Sequence, residues 1–428
     1  MQVNKLQIGL IAGAVILTFI VVLVLIGVLP GLRGESGAGG AITIWGFEPE
    51  TAMQEFFGDF KQDNDTGAKY IRKNIASWEA DLLNTLARGG IDAPDVLIFP
   101  SDYLKRHKDK LAAAPAALIT EREIRQQFIE AADAFLGSKN EIFGMPFYMD
   151  ALVLYWNKDL FTQNLITLPP KTWDDFRISS ERMTKKDSGG SIVISGAALG
   201  RGLNIKNMPL ILTTMFLQAG DRIISSAGEI VLGESGSAGI RPTESVLRFA
   251  SDFSNPRKTM QSWTPALPEA RDAFTSGKLA MYLGRVSEYN EIKNKNPHLN
   301  IAAALLPQLQ NAPRPVTGGT LYALSVTRAS RNQLAAWQFA KFMTNRENSA
   351  AYADKTGGVS LRRDVLPNYQ KESVRSVFAE SALALKLWPV LEPKSAEQIF
   401  RDLMEDVALE RATIREAIDK AKARLQQN

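Results

Sequence analysis

The run Asp95-Val-Leu-Ile-Phe99 places four apolar side chains in succession between an acid and Pro100. A strand with one wet face alternates apolar and polar residues, whereas an unbroken run fits a strand covered on both faces of a mostly parallel sheet. Upstream, Ile42-Thr-Ile-Trp45 is a β-branched and aromatic run ended by Gly46, and Lys69-Tyr-Ile-Arg-Lys-Asn-Ile75 reads as a second strand. Helical spacing fills the intervals, over Thr51–Asp63 and over Trp78–Arg88, which stops at Gly89-Gly90. Capping-box patterns recur at Thr51/Gln54, Thr120/Glu123, Ser330/Gln333, Thr344/Glu347, Ser395/Gln398 and Thr413/Glu416. At the C-terminal end Ile399, Leu403 and Val407 repeat at spacing four, a buried helical stripe. Strands alternating with helices predict an α/β fold.

The chain has 428 residues, enough for two or three domains, with 50 basic against 46 acidic side chains and a net charge of +4. A surplus that small gives no argument for nucleic acid as a partner. With no cysteine there are no disulfides, thiolate nucleophiles or cysteine-held metals, and two histidines, His107 and His298, do not make a His-rich metal site. Neither a phosphate-binding G-x-x-x-x-G-K-[ST] loop nor a G-x-S-x-G elbow occurs. The basic stretch Lys105–Lys110 reads as a solvated helix face with His107 exposed on it, and His298 as a loop residue.

Residues Ile8–Leu29 carry no charge and are almost all aliphatic, alanine or glycine. A helix of that length spans about 33 Å, the thickness of a hydrocarbon core, and exceeds the apolar region of a cleavable signal. Lys5 and the amino terminus precede it, which favours the N-terminus inside. This predicts a cytoplasmic stub (1–7), a transmembrane anchor (8–29) and a Gly-rich tether (30–40), with the remaining body on the outer face of the cytoplasmic membrane. Ser36 and Ala38 leave cleavage as the alternative.

Five strings in order resemble the family 1 extracellular solute-binding proteins, the maltose- and oligosaccharide-binding-like receptors of ABC importers. They are Gly144-Met-Pro-Phe-Tyr-Met-Asp-Ala-Leu-Val-Leu-Tyr-Trp-Asn-Lys-Asp-Leu-Phe161, Pro169-Pro-Lys-Thr-Trp-Asp-Asp-Phe176, Ala273-Phe-Thr-Ser-Gly-Lys-Leu-Ala-Met281, Gly318-Gly319 and Ala335-Ala-Trp-Gln-Phe-Ala-Lys-Phe342. On their own terms they are fold determinants. Thr172 caps a helix with Asp174 and Asp175 in its first turn, Asn157-Lys-Asp turns after a strand, and Gly277 frees Ala280–Leu283 to run as a buried strand.

The resemblance implies a two-lobed periplasmic-binding-protein-like (type II) fold, lobe one being 41–149 with 285–318 and lobe two 150–284 with 319–428. It implies a monomer without cofactor or metal, a sugar or oligosaccharide held between closing lobes, and delivery to the permease subunits of an ABC importer. Carried over by position, the ligand set is Trp45, Phe47 and Glu48 after the first strand; Phe99, Ser101, Asp102 and Tyr103 after the buried strand; Asp150 at the first crossover; and Trp263, Arg285, Gly319 and Trp388 beyond it. Arg285 stands where relatives often have an aromatic, and Gln398 where maltodextrin binders have a stacking tryptophan. Each position has a second reading: Trp45 as core, Asp102 as a helix cap, Asp150 as a hinge hydrogen bond, Glu48 as a solvated acid. A tethered sensor that shows its closed form to a signalling partner would carry the same features. A carbohydrate-active enzyme would need Asp102 and Asp150 as an acid–base pair, for which the resemblance gives no support.

Overall fold

A computed structural model describes residues 41–225, 228–234, 241–388 and 392–427. The predicted stub, anchor and tether (1–40) lie outside the described residues, among which no helix is long and apolar enough to cross a membrane. The strands run in the order β2-β1-β3-β9-β4-β7-β6-β5. β1 (Ile42–Gly46) is parallel to β2 (Ala68–Arg72) and β3 (Val96–Pro100), and every residue of β3 is buried, as its unbroken apolar run requires.

β4 (Met145–Asn157) is the strand that joins the two halves. From Met145 to Ala151 it pairs with β9 (Thr317–Val326), which in turn pairs with β3. From Leu152 onward it pairs with β7 (Leu279–Arg285) on one side and β8 (Ile301–Ala304) on the other. β6 (Ile192–Ala197) lies parallel to β7, with the short β5 (Lys185–Lys186) at its edge, and β10 (Leu385–Lys386) pairs with Thr317 and Gly318 at the start of β9. The molecule is thus mixed α/β in two lobes.

Strand pairing reverses the expected second boundary. β8 belongs beside the lobe-two half of β4, not in lobe one. Residues 320–326 of β9 pair with β3 or the lobe-one half of β4, and the helix Gln333–Met343 packs on the lobe-one helix Gln54–Asn64 through Phe60 and Phe339 (5.1 Å). The helix Pro393–Ala408 returns to lobe two, where Phe400 faces Phe216 (6.2 Å). The chain therefore crosses at β4, again at the start of β9, and a third time at β10. The number of crossovers is the three that the expected boundaries imply; the second falls near residue 317 rather than 285 and the third near 385 rather than 319, which accounts for the swap.

Two capping boxes close reciprocally, at Thr120 and Thr413, and Thr172 Oγ1 accepts from Asp175 N at 3.1 Å. The others are displaced. Asn332 and Asn345 take the caps expected of Ser330 and Thr344, Ser395 falls inside a helix opened by Pro393, and a 3₁₀ turn precedes the helix that begins at Gln54. Proline at the first helical position loses no hydrogen bond and has its φ already set, which is why the start moves there.

Lobe one is cored behind the cleft by Trp78, fully buried, with edge contacts to Phe99 (5.7 Å) and Tyr103 (5.0 Å). Such aromatic pairs add about 0.5–1.5 kcal/mol each beyond burial. His107 is not exposed as expected but buried, its Nε2 2.6 Å from Glu79 Oε1. The short helix Leu104–His107 turns that side chain inward while Lys105 and Arg106 stay out of the core.

Candidate ligand-binding site

β3 ends at Pro100, and the turn that follows delivers Ser101, Asp102 and Tyr103 to the cleft. Thr320 Oγ1 donates to Asp102 Oδ2 at 2.7 Å, and Ser101 Oγ donates to Oδ1 at 3.3 Å while accepting from Leu321 N at 3.1 Å. Asp102 is thereby aimed by lobe one alone. Its burial pushes the carboxyl pKa up, against the pull of these two hydroxyls and of Arg285.

At the crossover, Asp150 and Arg285 sit on neighbouring strands. The Asp150 carboxylate accepts from Ser287 N and Ser287 Oγ, both at 3.0 Å. Arg285 Nη1 lies 3.7 Å from Asp150 Oδ2 and donates weakly to the Asp150 carbonyl at 3.4 Å. The backbone beneath is held much more firmly. Glu288, buried, accepts from Arg285 N (2.7 Å), Asn207 Nδ2 (3.0 Å) and Tyr282 OH (3.0 Å). Burial raises the Glu288 pKa, and the donors around it counteract that rise.

Two cavities open between the lobes on either side of this pair. The smaller, about 190 Å³, is lined by Asp102, Tyr103, Arg285 and Trp388 together with Lys206, Asn207 and Glu397. Trp388 stands edge-on to Phe400 there (5.3 Å). Beside it Lys394 of lobe two donates to the Ala76 carbonyl of lobe one at 2.7 Å, and Arg106 pairs with Glu392. The larger cavity, about 570 Å³, is lined by Phe47, Glu48, Asp150, Tyr148, Tyr322 and Tyr352 among others. Tyr148 and Tyr322 are stacked at 4.5 Å, and the Tyr352 hydroxyl is buried with no partner among the described residues. Burial, then the negative charge of Asp150, pushes the Glu48 pKa up.

Of the twelve expected ligand residues, Phe47, Glu48 and Asp150 line the larger cavity and Asp102, Tyr103, Arg285 and Trp388 the smaller. The remaining five line neither. Trp263 is fully buried within lobe two, its Nε1 donating to Asn204 Oδ1 at 3.0 Å, because the helix Pro242–Asp252 leads it into the core. Phe99 is buried behind Trp78, and Trp45 points into the sheet's cover with Lys73 Nζ 3.8 Å from its ring centroid. Ser101 orients Asp102. Gly319 lets β4 pass, since a Cβ there would come within 2.6 Å of Ala151 Cα.

Sequence reasoning missed Tyr148, Tyr322, Tyr352, Lys206, Asn207 and Glu397. Tyr148 was within reach, because residues two apart on a strand share a face and Asp150 was already singled out. Lys206 and Asn207 were not. Their loop is held by Glu405, which binds Arg201 (Nε 3.0 Å, Nη2 2.6 Å) and accepts from Gly202 N (2.7 Å) and Leu203 N (3.2 Å) across some two hundred residues of sequence.

Comparison with known proteins agrees with this architecture. The galactooligosaccharide-binding protein of Bacillus subtilis (strain 168) is 22% identical over 408 residues, covering 90% of this chain and 89% of that protein. The sugar-binding protein MalE from Xanthomonas citri superposes with a TM-score of 0.75 at 19% identity, over 90% of this chain and 96% of that one. An ABC substrate-binding protein from Listeria monocytogenes, in complex with cycloalternan, gives 0.71 at 18% identity over 91% and 98%. Residues 55–375 match the family described as bacterial extracellular solute-binding protein, and the chain belongs to that family.

Proposed function

We propose that the chain captures a neutral sugar or oligosaccharide between its lobes, without turning it over, and delivers it to an ABC importer while anchored to the membrane by residues 8–29. The observation that carries this reading is the make-up of the cleft. The smaller cavity has three bases and two acids, the larger two bases and three acids, so the whole favours neither an anion nor a cation. Asp102, Asp150 and Glu48 are acceptors for hydroxyls, and Trp388, Tyr148 and Tyr322 offer aromatic surface to the apolar face of a sugar ring. The names of similar proteins, a galactooligosaccharide-binding protein and one held with cycloalternan, point the same way.

The open form would hold solute on one lobe, and closure would add the other lobe's contacts and exclude water, shifting the population toward a form the permease recognises. An anchor in place of a lipid-bearing cysteine keeps the receptor concentrated near its transporter. A thermal-shift screen of the detergent-solubilised chain against mono- and oligosaccharides, polyols, polyamines and amino acids tests the ligand class. A saturable rise in melting temperature with a sugar is the expected result; a rise with a polyamine or amino acid alone defeats the sugar reading. N-terminal sequencing of membrane-extracted protein tests the anchor, and a sequence that starts near Gly39 defeats it.

A further inference from the structure

The Arg285 side chain has a fixed base and a loosely held head. Its backbone is pinned on both sides, the N–H by Glu288 at 2.7 Å and the carbonyl by Tyr155 OH at 2.9 Å. Of the five donors on the guanidinium, Nη1 alone is engaged, at 3.4 Å to the Asp150 carbonyl and 3.7 Å to its carboxylate. Nε and Nη2 meet no other acceptor among the described residues. Asp150 lines the larger cavity and Arg285 the smaller, so the contact between them stands between the two cavities. Asp102 lines the smaller cavity with Arg285, accepts among the described residues from Thr320 and Ser101 alone, and its charge is also felt by Arg285. A carboxylate has about four lone-pair sites, so Asp102 has acceptor capacity left for a guanidinium. One arginine head thus has two carboxylates to rest on.

Size adds the second half of the argument. The smaller cavity, about 190 Å³, falls below the roughly 300–1,000 Å³ usual for a small-molecule site, while the larger, about 570 Å³, is within it. We infer that Arg285 determines the length of solute the cleft accepts: resting on Asp150 it partitions the site, and turning toward Asp102 it joins the two chambers for a longer chain. The inference rests on the sugar reading above.

Titration calorimetry on the full chain in detergent tests it, with three linear series as probes: glucose to maltotetraose, mannose to mannotriose, and galactose to galactotriose. Arg285→Ala removes the partition, and Arg285→Gln keeps most of its bulk but loses the charge. In the series that binds wild type, Arg285→Ala is expected to shift the ratio of trisaccharide to monosaccharide affinity at least tenfold toward the longer sugar, with Arg285→Gln between the two. A ratio unchanged in both variants overturns the inference, as does an equal loss for every length, which would make Arg285 an ordinary contact. If Arg285→Ala does not fold, judged by its unliganded melting curve, Arg285→Gln alone decides by the same ratio. Wild type that binds a sugar without the expected shift sinks only this inference; wild type that binds no member of any series sinks the sugar reading and the inference with it.

Discussion

Arg201–Glu405 and Arg285–Asp150 are both arginine–carboxylate pairs, the first buried and the second part-exposed in the cleft with the arginine side chain 30% accessible, and they are built differently. In the first, the guanidinium donates through two nitrogens at 3.0 and 2.6 Å, and the carboxylate takes two backbone N–H groups as well. In the second the nearest approach of guanidinium to carboxylate is 3.7 Å, and most of the arginine's donors meet no acceptor among the described residues. A buried charge pair is tolerable only when its remaining hydrogen-bonding capacity is met. The first pair meets that condition and fixes the loop carrying Lys206 and Asn207. The second does not meet it from within the protein, and its part-exposed guanidinium is left to the cleft. Saturation marks a structural pair, and unmet donors leave the second pair free for the ligand role proposed above.

The sharpest way to break this contrast is Glu405→Gln. Removing one partner of a buried pair costs about 3–5 kcal/mol, so urea unfolding should show a loss of that size together with weaker solute binding as the 202–207 loop relaxes. Next in size, Asp150→Ala should weaken solute binding by more than tenfold, since a hydrogen bond to a charged group contributes roughly 1.5–3 kcal/mol, while the melting temperature of the unliganded protein changes little. Unaltered affinity would take Asp150 out of the site, and a large fall in melting temperature would place it with Glu405.

A third carboxylate sharpens the comparison by having no arginine paired with it among the described residues. Asp221 is buried and accepts from Thr243, and burial pushes its pKa up from 3.8 to about 6. Its folded value stands above its unfolded one, so the folded state holds the proton more tightly. That contribution to stability is complete below pH 3.8 and is lost as pH rises through about 6. Asp221→Asn should therefore flatten the decline in unfolding free energy between about pH 4 and 6 relative to wild type; parallel profiles would contradict the assignment. Smallest of all is Arg257–Glu410, at 3.2 Å but with side chains 76% and 61% exposed. Exposed pairs contribute about 0–1 kcal/mol, and Glu410→Gln should move the melting temperature barely beyond error. A loss comparable to that of Glu405→Gln would show that exposure is not what separates the classes.

Local chemistry was legible and distant chemistry was not. The buried run 96–99, the Thr172, Thr120 and Thr413 caps and the turn at Asn157 all depend on residues within four positions, and the structure forms each of them. The family strings carried the two-lobed fold, and Asp150, expected at the first crossover, lies in β4 where that strand leaves β9 for β7. What failed depended on partners far along the chain. His107 turns inward because Glu79 waits for it, β9 joins lobe one because β3 lacks a neighbour, and Asn207 reaches the cleft through Glu405 and Glu288. Trp263 failed for another reason. A tryptophan serves core and sugar equally well, and only the packing of Phe253 and Asn204 around it decides between them.

The three crossovers also govern the order in which the chain can become a protein. β3 has nothing on its far side until β9 is made, so Val96 must wait for Val326, and lobe two is not closed until the helices after residue 392 exist. Neither lobe is a contiguous stretch that can finish while the rest is still being synthesised. Pairings so distant in sequence make folding slow. Late closure is thus written into the order of the strands: neither lobe can be completed before most of the chain has been made.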